Sequence, residues 1–145
     1  MAIGPVPEET REAPLVDLGN AQARARISAG AFRAFRDTAD YLGLSISNRC
    51  RLLGDLPQST FHRWVEKGAP TLPRDTLERI SLVLGIVKAL RLLFASDEAG
   101  KRWLFAPNTD APFAGASPAE HMLRGSIAHL YGVRRYLDSW RGVWP

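Results

Sequence analysis

The residues best suited to chemistry lie in the stretch "QSTFHRWVEK": Gln58, Ser59, Thr60, His62, Arg63 and Lys67. They are donors, acceptors and cations, not a nucleophile with its base. Such side chains suit nucleic acid: Arg pairs with guanine, Gln with adenine, and Ser with phosphate. On a helix, Phe61, Trp64 and Val65 fall together at i, i+3 and i+4 and should turn inward. Gln58, Ser59, His62, Arg63 and Lys67 are then left outside. The preceding "SISNRCRLLG", a short turn with Gly54, and this helix match the helix-turn-helix plan, whose second helix enters the major groove. Arg49 and Arg51 on the first helix would reach backbone phosphates, whereas Asp55 would repel them if it faced the duplex. Two short helices with a polar outer face also occur in many all-α proteins, so spacing alone leaves both readings open.

A second group stands near the C-terminal end, in "GVRRYLDSWRGVWP". Arg134, Arg135, Trp140, Arg141 and Trp144 are of the types that dominate protein-binding hot spots, and Pro145 follows them. Against that, Leu137 and Trp140 could be ordinary core residues. In "PNTDAPF", Asn108 and Asp110 are read as helix caps before contacts, and Trp103 as core. No metal site is expected: His62 lacks a second ligand at suitable spacing, and His121 and His129 stand too far apart to ligate from adjacent turns. Neither a phosphate-cradling Gly loop nor a Ser-x-x-Lys pattern is present, so catalysis and a cofactor are not expected.

The elements that must position these groups read as helices throughout, an all-α chain. A first helix begins near Ala21 and restarts after Gly30, with Phe32, Phe35, Ala39 and Leu42 on one face. After the two short helices, Pro73 opens a helix of about Arg74 to Ala95 that is apolar nearly all round. It is expected to be a spine joining both halves, or part of a subunit contact. "SDEAGKRWLFA" carries a Ser cap with acids in its first turn, and "SPAEHML" has a capping-box pattern. An apolar stripe then continues from Leu123 to Trp140, with a break expected near Gly132. The division expected is a leader over 1–30, partly flexible, a helix-turn-helix region over 31–72, and a helical partner-binding and dimerisation region over 73–145.

The totals are permissive. Across 145 residues, 19 Lys and Arg face 15 Asp and Glu, a net charge of +4 without a basic tail, so any nucleic-acid contact must come from a folded surface. The lone Cys50 cannot form an internal disulfide. The first residues, rich in Pro and Glu, hold no apolar signal core. The longest apolar run, Leu82 to Val87, is far too short to span a membrane, and a cytoplasmic location is the expectation.

From about Phe32 to Trp140 the sequence resembles the Xre/MbcA/ParS family of antitoxins. "LLGDLPQSTFHRW" is similar to the family's Xre-type helix-turn-helix. In the family's toxin-binding domain an ordered set recurs that is matched here by Trp103, Leu104, Pro107, Asn108, Gly115, Pro118, Leu123 and Gly125. The resemblance implies a type II antitoxin that binds and neutralises a RES-domain toxin. Such toxins degrade NAD or use it for ADP-ribosylation. It further implies a homodimer that binds its operator DNA as an autorepressor. Under that reading Arg134, Arg135, Trp140, Arg141, Trp144 and Pro145 would meet the toxin, the last residues blocking access of NAD. The alternative is a plain helix-turn-helix regulator whose C-terminal half serves dimerisation or sensing.

Overall fold

The computed structural model describes residues 17–141, which form seven α-helices and no strand. These are α1 (Ala21–Leu42), α2 (Ile46–Leu52), α3 (Gln58–Lys67), α4 (Arg74–Leu93), α5 (Asp97–Phe105), α6 (Pro118–Met122) and α7 (Ile127–Arg141). Local chemistry sets most of their ends. Asn20 accepts from the amides of Gln22 and Ala23 to start α1, and Ser45, Ser96 and Ser117 do the same for α2, α5 and α6. Gly43, at φ 68°, closes α1 in the left-handed region.

α4 is the spine that its apolar composition implied. It packs against α1, α7 and α5. Ile80, Val83, Ile86 and Ala89 are essentially inaccessible. Burying such a face is worth about 25 cal/mol per Å², far more than helix propensity contributes. Two close approaches complete this layer. Gly100 of α5 lies where a Cβ would come within 3.2 Å of Leu90 Cβ. In α1, the buried Ser28 hydroxyl donates to the Arg24 carbonyl (2.6 Å) and accepts from the Leu72 amide (2.9 Å), which ties α1 to the segment leading into α4.

The fold departs from the sequence reading in four places. α1 runs unbroken through Gly30, and α7 runs unbroken through Gly132. The interruption in the C-terminal stripe falls instead at Gly125, φ 98°, which separates α6 from α7. A helical Gly costs up to about 1 kcal/mol relative to Ala, which packing of the flanking residues readily outweighs. At Gly132 there is also a steric reason, since a Cβ would stand 3.2 Å from Nε2 of the buried His121. Lastly, Val65 does not face inward but is 38% exposed. α3 meets the core along a narrow line, which the i, i+3 pair Phe61 and Trp64 already fills.

Candidate nucleic-acid and partner-protein surfaces

The inner face of α3 is aromatic. Phe61 and Trp64 are buried, and each meets the Phe32 ring of α1 edge-on with centroids 5.5 Å apart. This three-ring contact fixes the rotation of α3 about its axis. Gln58, Ser59, His62, Arg63 and Lys67 are therefore exposed, and Thr60 is half-buried beside them. None of those five exposed side chains is hydrogen-bonded or ion-paired to another described residue. Pro57 precedes the helix and supplies no side-chain cap, so the first amides of α3 point outward without an acceptor from their own cap. Glu66 adds one exposed acid on the same helix.

The two arginines expected to reach phosphate are engaged elsewhere, which corrects that expectation. Arg49 pairs with Asp40 at 2.6 Å and donates through Nε to the Leu44 carbonyl at 2.9 Å, with only 13% of its side chain exposed. Arg51 donates through Nε to the Leu123 carbonyl and through Nη2 to the Arg124 carbonyl. Asp55, left-handed at φ 60°, stands 3.9 Å from Arg51, so its charge is partly answered within the protein. Cys50 is buried, and burial pushes its thiol above its ordinary range.

At the other end, α7 buries Leu130, Val133 and Leu137 against the spine. Of the six candidate contact residues there, Trp144 and Pro145 lie outside the described residues. The other four are not equivalent. Arg134 lies across Gly85, so near that a Cβ there would collide with Nη1, and it pairs with Asp138 at 3.2 Å. Arg141 reaches the same Asp138 at 3.8 Å. Arg135 is exposed, and Trp140 is 50% exposed. Trp140 is thus no ordinary core residue, although Leu137 is one.

Trp140 borders an apolar cavity of about 190 Å³ lined by Leu93, Phe94, Trp103, Tyr136 and Leu137 as well. Trp103 stacks on Tyr136, centroids 5.7 Å and planes 19° apart, and Phe113 closes on both rings edge-first. Trp103 is accordingly structural, as expected, yet it also forms the wall of an open groove. The Tyr136 hydroxyl donates to Asp110 at 2.6 Å, and burial followed by this bond raises its pKa. Asn108 and Asp110 do not cap helices. The Asn108 side chain accepts from the Asp110 amide, an Asx turn, while Asp110 holds α7 through Tyr136. Sequence reasoning missed this contact because its two ends are far apart in the chain and carry no shared motif.

His121 and His129, read as too far apart to ligate from adjacent turns, meet with their rings 4.9 Å apart and edge-on. His121 is 6% exposed, and its pKa is lowered by burial, then by His129 and Arg124. No group of three or more possible metal ligands occurs among the described residues, and no described helix is long and apolar enough to cross a membrane.

Comparison with known proteins agrees with this two-part layout. The model of the antitoxin Xre-like helix-turn-helix domain matches residues 21–85. The model of the antitoxin Xre/MbcA/ParS C-terminal toxin-binding domain matches residues 89–142. The chain is 44% identical over 118 residues to the uncharacterized protein y4oB of Sinorhizobium fredii (strain NBRC 101917 / NGR234), covering 81% of this chain and 88% of that protein.

Proposed function

Because this chain belongs to the Xre/MbcA/ParS family of antitoxins, we propose that it neutralises a RES-domain, NAD-consuming toxin and represses its own operon as a homodimer. Its place as an antitoxin of a toxin–antitoxin system follows from the family. The identity of the toxin and the autorepression are the proposal.

Neutralisation of this kind requires no chemistry from the antitoxin. It requires a surface that holds the toxin and a group that occupies the mouth of its cleft. The end of α7 suits both. Trp140 offers a half-exposed indole beside an apolar groove, within the segment matched by the toxin-binding domain, and that exposure carries the reading. Arg135 and Arg141 add exposed cations on the same helix, and Arg134 braces the helix against the spine. Trp144 and Pro145 follow directly and would occupy the cleft, blocking access of NAD. The region over 73–145 would hold the toxin and the second copy of the chain, and the region over 31–72 would hold the operator.

On the DNA side, Gln58, Ser59, Thr60, His62, Arg63 and Lys67 would meet the duplex. Arg63 and Gln58 suit base edges, and the uncapped first turn of α3 suits a phosphate. A homodimer would set two such helices about one DNA turn apart. Co-expression with the product of the adjacent gene tests the toxin half. The full chain should restore growth, and a chain lacking residues 142–145 should not. Full protection by the trimmed chain would remove the cleft-blocking role.

A further inference from the structure

α4 and α7 run side by side in the same direction. Arg79, early in α4, donates through Nη1 to the Gly125 carbonyl just before α7 (2.9 Å), Gly85 meets Arg134, and Leu93 lines one cavity with Leu137 and Trp140. Gly85 stands in the middle of α4, where glycine is disfavoured against alanine and so calls for a reason. Three helical glycines lie close to other side chains, and they divide by what they face. Gly100 approaches Leu90 at its Cβ and backbone, and Gly132 approaches the buried His121, so both serve packing. At Gly85 the three atoms nearest to an added Cβ all belong to the guanidinium of Arg134: the Cβ would collide with Nη1 and stand 2.9 Å from Cζ. A guanidinium is the free end of a long side chain and could swing into water, so packing alone does not require this gap.

What the gap fixes is the register of a charged strip. With Nη1 laid against α4, Nε of Arg134 donates to both oxygens of Asp138 at 3.2 Å, and Asp138 also stands 3.8 Å from Nη1 of Arg141. All three side chains remain partly exposed, at 28%, 45% and 42%. Lys88, one turn after Gly85, is exposed on the α4 side, so the strip is positive on balance. Leu92, a further turn along the same side, is 60% exposed. A guanidinium already held in one geometry loses less freedom on meeting a carboxylate than one moving in solvent.

We propose that Gly85 and Asp138 are positioning residues that seat Arg134 for a carboxylate-bearing segment of the toxin, with an apolar side chain of that segment covering Leu92. This rests on the toxin-neutralising reading and adds the chemistry of the toxin surface that meets α4 and α7.

The test titrates the full chain calorimetrically with the RES-domain product of the adjacent gene, using the wild type, Gly85→Ala, Arg134→Gln and the double variant. Gly85→Ala should weaken the complex by about tenfold, within the range that coupled neighbours span. The melting temperature of the free chain should stay level or rise, because alanine suits a helix better than glycine. The double variant should lose no more than Arg134→Gln alone, to within about twofold, since Gly85 acts only through Arg134. Asp138→Asn leaves Gly85 in place and should also weaken the complex, by about threefold or more. Added salt should weaken the wild-type complex more steeply than that of the double variant.

Unchanged toxin affinity in Gly85→Ala, losses that simply add in the double variant, or a Gly85→Ala chain that melts well below wild type overturns the proposal. Altered self-association with unchanged toxin affinity would give this surface to a second copy of the chain and overturns it equally. Absence of any complex with the wild type fails the toxin-neutralising reading itself, whereas a sound complex indifferent to Gly85 fails only the seating of Arg134.

Discussion

The α3 face and the α7 end are both built on aromatic clusters, yet they finish differently. At α3 the rings of Phe32, Phe61 and Trp64 close on one another and leave outside, apart from Val65, side chains that can hydrogen-bond. At α7 the rings of Trp103, Phe113 and Tyr136 also close, but the cluster stays open at Trp140, and a groove remains. The first surface is polar and favours a hydrated, charged ligand whose counterions it displaces. The second leaves apolar area in water and favours a protein that covers it. The contrast explains how one small chain can serve two partners with little competition between them.

The comparison breaks most visibly at the shared interior. Phe61→Ala should cost about 3–5 kcal/mol, judged by similar core truncations. A thermal melt should register that loss, together with loss of operator binding, because the rotation of α3 depends on this ring. Next in size is the open surface. Trp140→Ala should weaken toxin binding by about 2 kcal/mol or more, as a hot-spot residue does, and leave the melting temperature nearly unchanged. Calorimetric titration with the toxin checks this, and operator affinity should not move. On the polar surface, Arg63→Ala should cost about 1–3 kcal/mol of operator discrimination and nothing in toxin affinity. A gel-shift titration against specific and scrambled duplexes separates the two.

The smallest effect concerns pH. The pKa of His121 is lowered in the fold, so the folded state holds the neutral form. Its contribution to stability is complete above the ordinary value of 6.5 and is lost as the pH falls below it. Denaturant melts between pH 7.5 and about 5 should show this decline, and His121→Asn should flatten it. A decline of equal size in the variant would assign the effect to other groups.

Much of the fold was legible in the chain because the signals are local. Serine caps, Gly43 and the apolar spacing of α4 each act within a turn or two of themselves. The polar face of α3 was legible for the same reason, being the complement of Phe61 and Trp64. Val65 was misjudged because helical spacing tells which residues share a face and not how wide a neighbour covers that face. Gly30 and Gly132 were misjudged because the weak cost of a helical glycine is decided by packing that has no local signature. The least legible features are those in which a side chain meets distant backbone. Arg51 was expected to reach phosphate and Arg79 drew no reading, and nothing in the sequence marks the carbonyls at 123–125 as their partners. The same holds for Tyr136 with Asp110.

The central claim is that this chain acts by occupying surfaces. It is tested most directly by mixing it with the purified product of the adjacent gene and following NAD consumption. Loss of NAD should stop once the chain matches the toxin in amount, and Gln58→Ala with Arg63→Ala should leave that inhibition intact. Undiminished NAD consumption in the presence of excess folded chain would contradict the account.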